Sequence, residues 1–183
     1  MRHDGGWKRR DSRYLYRSRW FNVRQDDLTL PTGEDITYTL MEHPGYVVVV
    51  PVLDDGRVVM ERIYRHTVQR TLLECPSGGR DGDAPETAAR RELEEETGYR
   101  AARWTHLGHF VGSSGASDEV FDIFLATGLT ADGTLHREPT EQMEIELIPL
   151  ADLHAAALAG TLDDAPSALA VLLASARRPT SQS

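Results

Sequence analysis

The sequence predicts a mixed α/β (α+β) sandwich. Three observations point there. Several strand-like stretches come first, one helical stretch interrupts the strands, and two helices close the chain. Strand and helix do not alternate strictly, as they would in a doubly wound sheet. With 183 residues, 40% of them apolar, the chain suits one domain, or one domain with a small appendage, and can build a core.

Residues 1–13 are polar and glycine-containing and read as a loose amino-terminal tail. From "YLYRSRWFNV" to "ITYTLMEH", residues 14–43, the pattern alternates and is rich in aromatic and β-branched residues. A turn at Pro31-Thr32-Gly33 interrupts it, which gives two or three strands. "YVVVVPVL" is a continuous apolar strand, buried on both faces, in which Pro51 marks an edge, a bulge or a strand end. Asp54-Asp55-Gly56 is a hairpin turn, and "RVVMERIYR" returns as the partner strand.

"GGRDGDAPETAARRELEEETGY", Gly78 to Tyr99, holds the first helix. "WTHLGHFV", the loop "GSSGASDE" and the strong strand "VFDIFLATGL" follow, then a further strand "EIELIPL". The closing helices are "LADLHAAALAG", ended by Gly160, and "PSALAVLLASARR", ended near Pro179. The expected divisions are the tail 1–13, strands 14–43, the main domain 44–178 and a carboxy-terminal tail 179–183.

Charge and cysteine content narrow the function. The formal net charge is −9 and the isoelectric point about 5.2, the wrong sign for gripping nucleic acid through bulk charge. Basic clusters occur at the ends, Lys8-Arg9-Arg10 and Arg177-Arg178, and read as solvated tails. No apolar run approaches the ~20 residues of a membrane span, and "MRHDGGWKRRD" lacks the apolar stretch of a signal peptide. Cys75, the single cysteine, excludes an internal disulfide, lacks a partner at metal spacing, and reads as a small buried hydrophobe in a reducing compartment. A cytoplasmic protein is expected, with neither nucleic acid nor membrane as partner.

The first helix carries the chemistry. Asp83 suits an N-cap, with Glu86 completing a capping box, Pro85 in the first turn and Gly98 at the end, so the helix runs from about Ala84 to Thr97. At ~100° per residue, Glu92, Glu95 and Glu96 share one arc, with the small Ala88 and Ala89 one turn back. Arg90 is expected to pair with Glu94, and Arg91 with Glu95. Three crowded carboxylates raise one another's pKa unless a cation neutralises them. Oxygen donors without thiol or imidazole suit a hard ion, Mg²⁺ or Mn²⁺. The plain alternative is a solvated, salt-bridged helix face.

This stretch resembles the Nudix box, G-x5-E-x7-R-E-U-x-E-E-x-G-U, with U a bulky aliphatic or aromatic residue. Arg91-Glu92-Leu93, Glu94, Glu95-Glu96, Thr97 and Gly98-Tyr99 match its second half in full. In the first half Asp83 stands where the family has Glu. With Gly78 as the box glycine, after the lead-in Glu74-Cys75-Pro76-Ser77, the loop is one residue short. The resemblance extends from about Ser18 to Ala174 and is similar to the ADP-ribose pyrophosphatase branch. It implies the Nudix fold: a mixed β-sheet sandwiched between helices, with an extra amino-terminal antiparallel sheet.

The resemblance also implies roles. Glu92 and Glu96 would bind Mg²⁺, with Glu95 a further ligand or bridge and the Ser77 carbonyl a backbone ligand. Glu141 falls on the position of a further carboxylate over the metal site that takes a proton from water or completes the metal shell, with Glu138 and Glu144 as competitors, and Glu95 and Arg91 belong to the same catalytic group. Arg65, more than Arg62, would meet a phosphate, Glu74 a base or ribose, and Trp20 adenine. Ser114, in "GSSGASDE", stands where the branch has a proline that marks ADP-ribose preference. His106 and His109, in "THLGHF", show no ligand spacing and need no role.

The implied activity is Mg²⁺-dependent cleavage of a nucleoside diphosphate derivative, with ADP-ribose giving AMP and ribose 5-phosphate. The alternatives are another nucleotide sugar such as a GDP-hexose, a dinucleotide, or a non-catalytic metabolite sensor. The branch further implies a homodimer formed through the amino-terminal strands.

Overall fold

A computed structural model describes residues 5–137 and 142–177. The chain divides into two compact units, Met1–Gly45 with Val111–Val120, and Tyr46–Phe110 with Phe121–Ser183.

The first unit contains an antiparallel sheet of β1 (Lys8–Arg17), β2 (Asn22–Thr29) and β3 (Asp35–Glu42), in that order. Residues 8–13 are therefore strand, where the sequence suggested a tail. All ten residues of β1 are exposed, so no buried face marks them in the pattern. Polar cross-strand bonds hold β1 instead, among them Ser12 Oγ donating to Asp26 at 2.6 Å. Burial pushes the Asp26 carboxyl up, but bonds from Arg24 and Ser12 outweigh it and hold it below the ordinary value. Trp20 lies in the turn between β1 and β2, 55% exposed, with the Arg19 guanidinium 3.8 Å above its ring. The turn carrying Ser114 is stitched to β3: Met41 N donates to the Ala116 carbonyl at 2.8 Å, and Tyr38 Oη to the Gly115 carbonyl at 2.9 Å.

The second unit is built on a seven-stranded mixed sheet. Its main order is β10 (Met143–Pro149), β5 (Arg57–Arg65), β4 (Tyr46–Val52), β9 (Val120–Thr130), β8 (Arg100–Val111); β6 (Arg70–Glu74) pairs with β5, and β7 (Ser77–Gly79) with β4. β4 and β9 are parallel, and β4 is antiparallel to both β5 and β7. Pro51 falls where β4 passes between its pairing with β7, which ends at Val48, and its pairing with β5 at Val52. A missing N–H is tolerated in that gap.

The alternation of β4 sorts the core into two layers. Val48, Val50 and Val52 face α2 (Leu150–Ala159) and α3 (Ala165–Arg177) through Leu150, Leu153, Ala170 and Val171. Val47 and Val49 face α1 (Pro85–Thr97) through Ala88, Ala89 and Leu93. Burial on both faces explains the unbroken apolar run, and the sandwich is the predicted one. Among the described residues no helix is long and apolar enough to cross a membrane.

Candidate active site

The site is assembled where β7 turns back into α1. Pro85 takes the first helical position, which its fixed φ suits, so the N-cap is Ala84 and no side chain caps the helix. The expected Asp83–Glu86 capping box is thus not formed. A turn in which Asp83 N donates to the Arg80 carbonyl at 2.8 Å leaves Asp83 outside the helix, 3.8 Å from Arg91 Nε. Glu86 pairs instead with Arg90, whose Nη2 lies 2.7 Å from its carboxylate. Gly98, at φ 72°, closes the helix in the left-handed conformation, donating its N–H to the Glu94 carbonyl.

Glu94 is structural, as expected, but its partner is not Arg90. Arg100 grips it with bonds of 2.9 and 2.6 Å, and Thr134 N donates to it at 3.2 Å. These partners come from beyond the helix, where sequence spacing cannot show them.

Glu92 and Glu96, one turn apart, are 6% and 4% exposed. Both face the β7 segment. Ser77 N donates to Glu96 Oε2 at 3.0 Å. The Glu92 carboxylate lies so close over Gly78 that a Cβ there would stand 2.2 Å from its Cδ. A side chain at that position would have to displace the Glu92 carboxylate. Arg91 ties the parts together: its guanidinium lies 2.7 Å from Glu92 and 3.3 Å from Glu95, and donates to the Gly79 carbonyl at 2.8 Å. Burial pushes the Arg91 pKa down, yet the charges of Glu92 and Glu95 outweigh it and raise it.

A divalent cation can be tested against these residues by donor chemistry. Two buried carboxylates and the backbone of a glycine strand offer only hard oxygen donors. Among the described residues no three acidic, histidine or cysteine side chains converge as a ready cation cage, since Arg91 lies between Glu92 and Glu95. The donor set fits Mg²⁺ or Mn²⁺ in kind. Beside it, Arg91, Glu94, Glu95, Thr134 and His136 line an open cleft of about 370 Å³.

The other candidates have partners of their own. Arg65 and Glu74, read as contacts to phosphate and base, form a bidentate pair with each other at 2.9 and 2.6 Å. Arg62 pairs with Glu146 at 3.0 Å, the surface role favoured for it. Glu144 is exposed on β10, opposite Arg62. Glu138 and Glu141 lie outside the described residues. Arg137 donates to the carbonyls of Glu96 at 2.8 Å and Met143 at 3.2 Å, tying the chain on both sides of that stretch. Cys75 is free and buried, and burial pushes its thiol well up, as expected of an inert hydrophobe.

Two features escaped the sequence reading. His136 reaches the helix through its backbone N–H, 2.9 Å from the Glu95 carbonyl, and carries no local signal. His106 and His109 make ordinary strand hydrogen bonds, as expected, but converge on one carboxylate. His106 Nε2 lies 2.7 Å from Asp122 Oδ1, and His109 Nδ1 lies 3.1 Å from Oδ2, the oxygen that also meets Arg80. The signal was the aspartate inside the apolar strand "VFDIF", since a buried charge demands partners.

Known proteins resemble this chain in sequence and fold. The NUDIX domain profile matches residues 42–169, and that of the nucleoside diphosphate sugar hydrolase N-terminal domain matches residues 7–41. The chain is 37% identical over 117 residues to an ADP-ribose pyrophosphatase of Bacillus subtilis (strain 168), covering 63% of each. It is 36% identical over 155 residues to an ADP-ribose pyrophosphatase of Mycobacterium tuberculosis (strain ATCC 25618 / H37Rv), covering 82% of this chain and 74% of that one. Over 147 residues it is 34% identical to a CMP-5'-(N-acetyl-N-hydroxy-3-aminopropyl)phosphonate hydrolase of Streptomyces rubellomurinus (strain ATCC 31215), covering 79% and 70%. A solved structure described as an ADP compounds hydrolase shares the fold with a TM-score of 0.80 at 24% identity, covering 93% of this chain and 92% of that one. With its box intact from Arg91 to Tyr99 and the profile spanning most of its length, the chain belongs to the Nudix family.

Proposed function

We propose that the protein is a divalent-cation-dependent Nudix hydrolase that cleaves the diphosphate of a nucleoside diphosphate derivative, with ADP-ribose giving AMP and ribose 5-phosphate. The observation that carries this reading is the pair of buried carboxylates, Glu92 and Glu96, held against Gly78 and Ser77. A solvated helix face does not bury two carboxylates against a neighbouring strand, one of them in the space a Cβ at residue 78 would need. The names of the Bacillus and Mycobacterium relatives support the substrate.

Glu92 and Glu96 would hold Mg²⁺, or Mn²⁺, with Glu95 and the Ser77 carbonyl completing the set. When bound, the ion neutralises the diphosphate, polarises its P–O bonds and activates water. Arg91 keeps Glu92 and Glu95 in place and fixes the Gly79 carbonyl. Glu74 holds the Arg65 guanidinium for a phosphate, and Glu141 is the base that accepts a proton from the attacking water. Trp20 offers an aromatic face for adenine. Ser114, with the phosphonate hydrolase relative, favours a second reading in which another nucleotide derivative is cleaved. Incubation with ADP-ribose, GDP-hexoses and dinucleotides, with product identification, decides between them. Release of AMP at rates well above the others supports the first reading, and a faster rate on another diphosphate replaces it.

The exposed Tyr14, Leu15, Tyr16, Trp20 and Phe21 of the amino-terminal sheet support a homodimer through these strands. Sedimentation at micromolar concentration would return a dimer, and a monomer would refute it. A free, buried Cys75 fits a cytoplasmic location.

A further inference from the structure

We infer that Asp122 is a positioning residue for the glycine strand of the proposed cation site, acting through Arg80. The inference rests on the cation reading of Glu92 and Glu96. Residues 80–84 join β7 to α1, and the family spacing makes this connection one residue short. Within it Asp81, a non-glycine residue, sits at φ 49° and Gly82 at φ 89°. Consecutive left-handed residues are held only where their surroundings fix them.

Arg80 supplies that fixation at both ends of its own residue. Its carbonyl accepts from Asp83 N at 2.8 Å and closes the turn, while its guanidinium reaches across to Asp122 on β9. The anchor is itself immobilised. Asp122 is 4% exposed, and its two oxygens take His106 and His109 as well as Arg80. His106 and His109, three residues apart in β8, meet on one side. Leu107 and Phe110, also three apart, both pack in the opposite core layer, so β8 is irregular there.

The register shows what the tether controls. Gly78, Val47 and Asp122 lie side by side in one row across β7, β4 and β9. At ~4.8 Å per strand the anchor stands roughly 10 Å from the glycine that receives Glu92. Arg80 directly follows β7, so its grip fixes the end of the strand whose Gly79 carbonyl takes Arg91 and whose Gly78 lies under Glu92. The Arg80 Nε has no hydrogen-bond partner among the described residues. The guanidinium therefore depends on Asp122 for its compensation.

The test is calorimetric titration of Mn²⁺ into the full chain, with Arg80→Met, Asp122→Asn, the double variant, Arg80→Lys and Glu92→Gln alongside. Thermal unfolding of each identifies a variant that fails to fold. Arg80→Met and Asp122→Asn should each weaken Mn²⁺ binding about tenfold, as expected of residues that orient ligands. The double variant should bind no more weakly than the weaker single one, and Arg80→Lys should recover most of the loss. Mn²⁺ affinity within twofold of the parent in a folded Arg80→Met, or fully multiplicative losses in the double variant, would overturn the inference. A parent chain that binds no Mn²⁺, or binds it equally after Glu92→Gln, would overturn the cation reading on which it rests.

Discussion

Glu92 occupies the space that a side chain at Gly78 would need. A Cβ at residue 78 would stand 2.2 Å from Glu92 Cδ and 2.3 Å from its Oε2, so the Glu92 carboxylate would have to move. The glycine strand and the acidic helix are thus two halves of one device. Gly78→Ala must push Glu92 out or β7 away from β4. We expect a loss of roughly 2 kcal/mol in stability from overpacking. Turnover should fall ~10²-fold, because a ligand displaced by about 1 Å no longer serves the reaction. Denaturant unfolding with a parallel AMP-release assay measures both, and a Gly78→Ala variant of parental activity would show that the close approach is dispensable.

The Arg65–Glu74 pair makes a separable prediction. Glu74 is 6% exposed, whereas the Arg65 side chain is 41% exposed, so the arginine presents part of itself to solvent while the glutamate grips the rest. The bond from Glu74 raises the Arg65 pKa despite partial burial, which keeps it a cation at any working pH. Arg65→Lys retains the charge and loses the planar fork. KM for the diphosphate should rise about tenfold, the contribution of one charge-assisted hydrogen bond of roughly 1.5 kcal/mol. kcat should change little. Steady-state kinetics tests this, and an unchanged KM would remove Arg65 from the substrate contacts.

Asp122 predicts a pH dependence of stability. Burial pushes its carboxyl up, but hydrogen bonds from His109 and His106 and the charge of Arg80 prevail and hold it below the ordinary range. A group with a depressed folded pKa stabilises the fold above its unfolded pKa, about 3.9, and loses that contribution as pH falls through the folded value. The stability gap between the parent and Asp122→Asn should be roughly 3 kcal/mol at pH 7, since the change leaves a cation without its counter-charge. Below about pH 4 it should shrink. Urea unfolding at several pH values checks the trend, and a gap that is flat from pH 7 to pH 3 would contradict it.

Much of the fold was legible because the signals were local. The unbroken "YVVVVPV" announced a strand buried on both faces, Gly98 and Gly160 ended their helices, and Glu92–Glu96 shared a face by spacing alone. The elements missed had no local mark. β1 is a strand with no buried face, and the three-residue β7 exists through its pairing with β4. Within the site, helical arithmetic brought Arg91 to Glu95. It gave Glu94 the wrong partner because Arg100 approaches from the following strand. Arg65 and Glu74 looked like independent binding residues because β5 and β6 bring them together only in three dimensions. Asp122 drew no notice among its apolar neighbours, although a lone carboxylate in such a strand has few places to find compensation.

Glu92 and Glu96 are proposed to hold the cation through which a diphosphate is cut. Glu96→Gln is the decisive variant, because a glutamine oxygen can still accept the 3.0 Å bond from Ser77 N and spare the fold. With ADP-ribose and saturating Mg²⁺, release of AMP by the variant should fall ~10³-fold while the unfolding temperature moves only slightly, the loss expected when charge stabilisation of the transition state is removed. A Glu96→Gln protein that folds normally and turns over at the parental rate would mean that Glu96 holds no catalytic cation.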